Sequence, residues 1–193
     1  DLNSARIAPF GITLDDLRKT GVINPATKAN TIGKFKFFNQ AYVDAGFSGV
    51  ATWIEPAVGI SANEFQFFIL NGKQGYHSHT ATVGIPQLAQ ITKDYNADRV
   101  WINATKAAYL GINDGDDIVI ANGSLKVKAQ AKVTERIHPD ALFMPGGYGR
   151  RLLYSNLATG IAGANPNDLV KYQLEPHVGH AMLQEALVTV SRV

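Results

Sequence analysis

The pattern of apolar and polar positions changes character at Glu64. Before it, regular periods are short and broken. Residues 12–23 (ITLDDLRKTGVI) predict a short helix: Thr13 suits the N-cap, Asp15 and Asp16 fall in the first turn, and Gly21 closes it. Residues 24–33 (NPATKANTIG) carry turn and loop chemistry. Lysine and phenylalanine alternate at the start of 34–46, predicting a strand that then loses its period. Residues 50–63 contain Pro56 and Gly59 and no period, which predicts a connecting segment.

Beyond Glu64 the segments are short, apolar and closely spaced. Residues 65–70 predict a buried strand by length and aromatic content. Pro86 suits the first turn of a helix over 85–96. Residues 99–103 predict a strand, and Asn103 the cap of a helix over 104–111 that Gly111 ends. Strands are expected over 116–122, 125–137, 141–149 and 185–193, with a Gly-Ser turn between the first two and a Gly-rich loop after Pro145. Strands outnumber helices, so a mainly β (α+β) domain with short helices is expected, closed as a barrel rather than doubly wound. The expected organisation is a lead-in or linker from a preceding domain over 1–63 and a compact domain over 64–193.

Composition narrows the function. At 193 residues and 46% hydrophobic content the chain buries a core without staples. The formal net charge is +2, and no basic block exceeds Arg150-Arg151, which argues against nucleic acid. No apolar run approaches the roughly 18 residues of a membrane span, so no direct membrane contact is expected. Cysteine is absent, which removes disulfides, thiolate nucleophiles and cysteine-ligated metal within this chain. The chain starts at Asp1 without a signal-like segment, as a processed protein or a piece of a longer one would.

The stretch NGKQGYHSHT (71–80) concentrates the candidate chemistry. In an extended chain His77 and His79 face the same way and two imidazoles reach one metal. A third ligand would have to come from His138, His177 or His180, and Pro176 and Gly179 speak against a helix there. A second reading is a polar loop with no ligand. A third is an anion-gripping loop, in which Gly72 exposes backbone N–H groups, Lys73 adds charge, and Ser78 and Thr80 add hydroxyls. Residues 110–123 hold Asn113, Asp114, Asp116 and Asp117, but their glycines fall in the wrong places for an EF-hand. A tight turn with Gly115 at positive φ is expected instead. MPGGYGRR (144–151) reads as a second phosphate loop or a connector, and GANPNDL (163–169) as a turn whose asparagines suit a purine or pterin edge. No Ser-His-Asp set or paired carboxylates stand out.

Taken in order, FFILNGKQGYHSHT (67–80), VWINATKAAYLGINDGDDIVIAN (100–122), GANPNDL and EPHVGHAMLQEALVTV (175–190) resemble the closing domain of molybdopterin oxidoreductase large subunits, the dimethyl-sulfoxide-reductase family. Residues 32–56 are similar to that family's linker into the domain. The resemblance runs from Gly33 onward. It implies a six-stranded double-psi β-barrel, similar to aspartate decarboxylase, that binds molybdopterin guanine dinucleotide carrying Mo or W. It sets Asn71, Gly72, Lys73, Gln74, Tyr76, His77, Ser78, His79 and Thr80 against the cofactor, with Asn103, Asn167 and Gln184. Departures are Asn71 for the usual Thr, Lys73 for Arg, Ala104 for Pro, and Gln184 for Lys. Lysine lacks the bidentate fork of arginine, so Lys73 would act as a point charge.

The resemblance further implies that the isolated chain is inactive and that any iron–sulfur cluster lies outside it. The implied partners are the remainder of the catalytic subunit, an iron–sulfur electron-transfer subunit and a membrane anchor, on the periplasmic or cell-envelope side. The closing segment looks most like thiosulfate and polysulfide reductases of anaerobic respiration. Two rival expectations remain: a double-psi barrel serving as an interaction module without cofactor, and a small metal-dependent hydrolase using His77 and His79.

Overall fold

The computed structural model describes residues 2–23, 35–79, 81–149, 162–176 and 179–193. Thr80, His177, the Arg150-Arg151 pair and the loop expected over 24–33 lie outside the described residues. The chain divides into two compact units, residues 1–52 and 53–193.

The first unit is helical among its described residues. α1 spans Leu2–Ile7, α2 Leu14–Thr20 and α3 Gln40–Asp44. Thr13 caps α2 as expected: the Asp16 N–H donates to its Oγ1 at 3.2 Å, and the Thr13 N–H donates to the Asp16 carboxylate at 2.9 Å. The strand expected from the Lys/Phe alternation does not form at 35–38. Phe35 and Phe37 are 94% and 90% exposed, and no described residue pairs with them. Alternation makes a strand only where a partner takes the ladder hydrogen bonds and the apolar face.

The second unit is the barrel. Its elements are β1 (Gln66–Gly72), α4 (Pro86–Tyr95), β2 (Val100–Asn103), α5 (Ala104–Tyr109), β3 (Asp117–Asn122), β4 (Leu125–Thr134), β5 (Ala141–Pro145) and β6 (Leu187–Arg192). The strands close in the order β1-β5-β2-β4-β3-β6. β1/β5 and β2/β4 are parallel, and the other four neighbours are antiparallel. Exchanging β1, β2, β3 with β4, β5, β6 maps this order and every pairing direction onto itself. That internal two-fold is the double-psi arrangement, so the expected fold is the one observed.

Each strand turns alternate side chains inward, as a closed wall requires. Phe67 and Ile69, Val100 and Ile102, Ile118 and Ile120, Leu142 and Met144, and Val188 and Val190 form the core, with Ala129 and Ala131 keeping β4 close. Residues 65–70 are therefore half-buried rather than buried throughout: Phe65 is 50% and Leu70 37% exposed, because a barrel wall has one inner face. Gly115 takes the expected positive φ of 85° in the turn before β3. β1, β3 and β5 run toward one end of the barrel; β2, β4 and β6 run toward the other.

Candidate functional site

Asn71 and Gly72 finish β1 at the end where β5 and β3 also finish and β6 enters. The Gly146 N–H donates to the Gly72 carbonyl at 2.8 Å, which extends the β1/β5 ladder past Pro145. Gly72 lies under the Phe143 ring, where a Cβ would stand 3.0 Å from the ring edge. Gln184, in the segment entering β6, donates its Nε2 to the Asn71 carbonyl at 3.2 Å and lies 3.4 Å from Asn71 Oδ1. Two residues 113 positions apart thus present their amides side by side.

The loop that follows is a series of turns among its described residues. The every-second-residue rule for extended chain does not apply, and the two imidazoles take different partners. His77 turns inward and is 8% exposed. Its Nε2 lies 2.9 Å from Thr92 Oγ1 and its Nδ1 3.3 Å from Thr82 Oγ1. Thr92 Oγ1 lies 3.2 Å from Tyr148 Oη, and the Ser78 N–H donates to Thr82 Oγ1 at 3.0 Å. Burial lowers the His77 pKa and raises that of Tyr148, since both charged forms lose water. His79 is exposed, at a left-handed φ of 47°, with Nδ1 3.2 Å from the Lys73 ammonium. A neutral His79 accepts from Lys73. No group of three or more His, Cys, Asp or Glu suited to a metal ion occurs among the described residues.

Gln74 and Tyr76 open into a groove of about 750 Å³ along the outside of β5, β2 and β4. Tyr76 stacks on Tyr95 at 5.3 Å. Phe143, Trp101 and Lys132 form one row across three strands. The Trp101 and Phe143 rings meet edge-on at 5.2 Å, and the Lys132 ammonium sits 5.6 Å from the Trp101 ring centre. Lys73, Lys132 and Arg136 line the groove, and among the described residues no carboxylate does. Two of its lining side chains hold buried polar atoms, Gln74 Oε1 and Trp101 Nε1, that have no hydrogen-bond partner among the described residues. Flat rings and cations suit an anionic ligand with aromatic rings.

The remaining expected positions separate. The turn carrying Asn167 is at the Asn71 end: Asn122, which ends β3, donates to the Leu169 carbonyl at 2.8 Å. Asn167 itself is exposed, and its N–H donates to Asn165 Oδ1 at 3.1 Å. Asn103 finishes β2 at the opposite end. It is 4% exposed, accepts from the Thr105 N–H at 2.9 Å and donates to the Ile137 carbonyl at 2.9 Å. Its side chain caps α5 and pins the loop after β4. His138 is also at that end, accepting from the Asp140 N–H at 3.2 Å. Trp101, Lys132, Arg136 and Tyr95 were not singled out in the sequence. The alternating lysines of 125–137 mark an outer face, but only the barrel order reveals which strand lies beside it.

Residues 67–187 match the molybdopterin dinucleotide-binding domain. The chain belongs to this family. It is 32% identical over 129 residues to the molybdopterin-containing subunit of thiosulfate reductase from Salmonella typhimurium, a match covering 67% of this chain and 16% of that one. It is 37% identical over 160 residues to the alpha subunit of NADPH-Fe(3+) oxidoreductase from Geobacter sulfurreducens, covering 74% of this chain and 18% of that one. Acetylene hydratase from Pelobacter acetylenicus has the same fold, with a TM-score of 0.67 at 16% identity over 97% of this chain and 28% of that one. The chain therefore spans a small part of the length of the relatives it matches. The domain supports a molybdopterin cofactor, in keeping with the rings and cations around loop 73–79.

Proposed function

We propose that this domain grips molybdopterin guanine dinucleotide, carrying Mo or W, inside a larger catalytic subunit, with loop 71–80, Gln184 and the Asn167 turn as its contacts. One observation carries the reading: Asn71, Gly72 and Gln184 meet at the mouth of a polar, cation-bearing loop. The Asn71 and Gln184 amides offer donors and acceptors to a ring edge. Lys73 supplies a point charge for a phosphate, and His79 holds that charge near the loop. When bound, the cofactor supplies the redox chemistry of its metal; the protein contributes grip and orientation.

The proposed parent enzyme is a reductase of sulfur compounds such as thiosulfate or polysulfide in anaerobic respiration. It would sit on the periplasmic or cell-envelope side, with an iron–sulfur electron-transfer subunit and a membrane anchor. Similarity to the thiosulfate reductase subunit supports this finer reading. The similar subunit of NADPH-Fe(3+) oxidoreductase shares the domain under another activity, so the grip on cofactor is the common element.

Titration of the chain with GDP, followed by amide chemical shifts, tests the site. Shifts are expected over Asn71–His79 and at Gln184, and Lys73→Ala is expected to weaken binding about fivefold, the worth of about 1 kcal/mol for one exposed charge contact. Shifts confined to the Asn103 end, or unchanged affinity in Lys73→Ala, would remove the loop from the site.

A further inference from the structure

We infer that His77 is a positioning residue: as a neutral imidazole it latches loop 73–79 to α4 and to the loop after β5, and protonation opens the latch. The inference builds on the proposal that this loop grips the cofactor, and gives His77 a role other than touching it.

The latch is read from hydrogen-bond partners. His77 joins three segments: its own loop, α4 through Thr92, and the loop after β5 through the Thr92–Tyr148 contact. Thr82 closes the loop from the other side, accepting the Ser78 N–H while its hydroxyl faces His77 Nδ1. A neutral ring has one donor and one acceptor, and either tautomer fits this chain of hydroxyls. If Nε2–H donates to Thr92, the Thr92 hydroxyl donates onward to Tyr148, and Thr82 donates to Nδ1. If Nδ1–H donates to Thr82, the order reverses. An imidazolium has two donors and no acceptor; both hydroxyls could accept from it, so what opposes the charge is its burial at 8% exposure beside neutral partners only.

Among the described residues, no carboxylate hydrogen-bonds to His77 or pairs with it to compensate an imidazolium. Lys73 and His79, on the same loop, face each other. On α4, Asp94 accepts the Gln90 amide at 2.7 Å and Lys93 lies one turn from the cap. Asp98 acts on Tyr148, raising its pKa after burial does. Burial alone displaces His77, downward from the ordinary 6.5. Above 6.5 the ring is neutral in folded and unfolded chains alike and the latch is whole. Below 6.5 the unfolded chain takes its proton first, so the latch weakens and is lost as pH falls through the lowered value.

The test is amide hydrogen exchange of the full chain, without ligand, between about pH 5 and 8. Exchange rates are corrected for intrinsic pH dependence and referenced to Ile102 in β2. Protection of the His77 and Ser78 amides, which donate to the Gln74 carbonyl and to Thr82 Oγ1, is expected to fall about tenfold as the pH drops across this range. His77→Gln, which keeps a donor and an acceptor but cannot titrate, should hold its protection throughout. His77→Ala should lack it at every pH, and His79→Ala should behave as the parent does. Protection that ignores pH in the parent, or that follows His79, overturns the latch. GDP affinity separates the two ideas: a pH-sensitive latch with unaltered affinity in His77→Ala confirms the latch and sinks the loop as the gripping element.

Discussion

Gly149→Ala tests the packing at the Asn71 end of the barrel, where the site is proposed. Gly149 follows β5, with φ +66° and its N–H donating to the Ala162 carbonyl at 3.1 Å. A Cβ there would overlap the Asn165 backbone nitrogen and stand 2.7 Å from the Ala164 carbonyl carbon. These obstacles are backbone and cannot rotate aside. The left-handed conformation costs an alanine about 1 kcal/mol, and forcing two backbones apart adds about 1–3 kcal/mol. The sum, about 2–4 kcal/mol, is a large share of an ordinary stability of about 5–15 kcal/mol. In a chain of this length it lowers Tm by roughly 4–16 °C. Gly123→Ala is the control: its φ is +60° but nothing lies within 4 Å of the added Cβ, so about 1 kcal/mol is expected. Urea unfolding followed through Trp101, in a Trp53→Phe background, reads both. Equal losses in the two variants would refute the claim that the 146–149 and 162–165 backbones are locked together.

Two further outcomes are expected. Asn103→Ala removes the α5 cap and strands the Ile137 carbonyl, costing about 2–3 kcal/mol in urea unfolding; because Asn103 lies at the other end, GDP affinity should hold, and a matched loss of affinity would return it to the site. Ile102→Ala, at a core position with 0% exposure, should cost about 2–5 kcal/mol, and a loss below 1 kcal/mol would mean the barrel collapses around the gap.

Local signals in the sequence were enough for most elements. Thr13, Pro86 and Asn103 mark helix starts because a cap or an N1 proline acts within one turn of its own position. The strands are legible in short apolar or alternating runs and the turn glycines between them, although the run at 65–70 reads as buried throughout. The Lys/Phe run at 35–38 misled because a strand needs a neighbour, and period alone does not supply one. The candidate site stands out in the sequence as a stretch but not as a geometry. Nothing local says that His77 points inward while His79 points out, since that depends on Thr92 and Tyr148, 15 and 56 residues from their contacts. The groove cations were hidden for the same reason: Trp101 and Lys132 become neighbours only when β2 pairs parallel to β4.

The internal two-fold raises the question of why the site is proposed at one end of the barrel and not at its equivalent. The backbone offers both ends alike: β1 maps onto β4, so the loop 73–79 has a counterpart in the chain after Thr134. The difference lies in how polar side chains are used. At the Asn103 end they complete the backbone. Asn103 serves Thr105 and Ile137, Asp114 Oδ1 accepts the Val133 N–H at 2.9 Å, and Asp116 accepts the Asn113 N–H at 2.9 Å and pairs with Arg192 at 3.2 Å. Removing any of them strands a backbone group or a charge, so fold stability alone explains their presence. At the Asn71 end Asn122 does the same for the Leu169 carbonyl, but the Lys73–His79 contact and that of Gln184 with the Asn71 carbonyl and amide lie across exposed surface, where water would satisfy each group as well. The fold gains little from these four residues. Their convergence, together with a groove whose cations face no carboxylate among the described residues, favours the proposed site at this end, because a barrel alone does not require it.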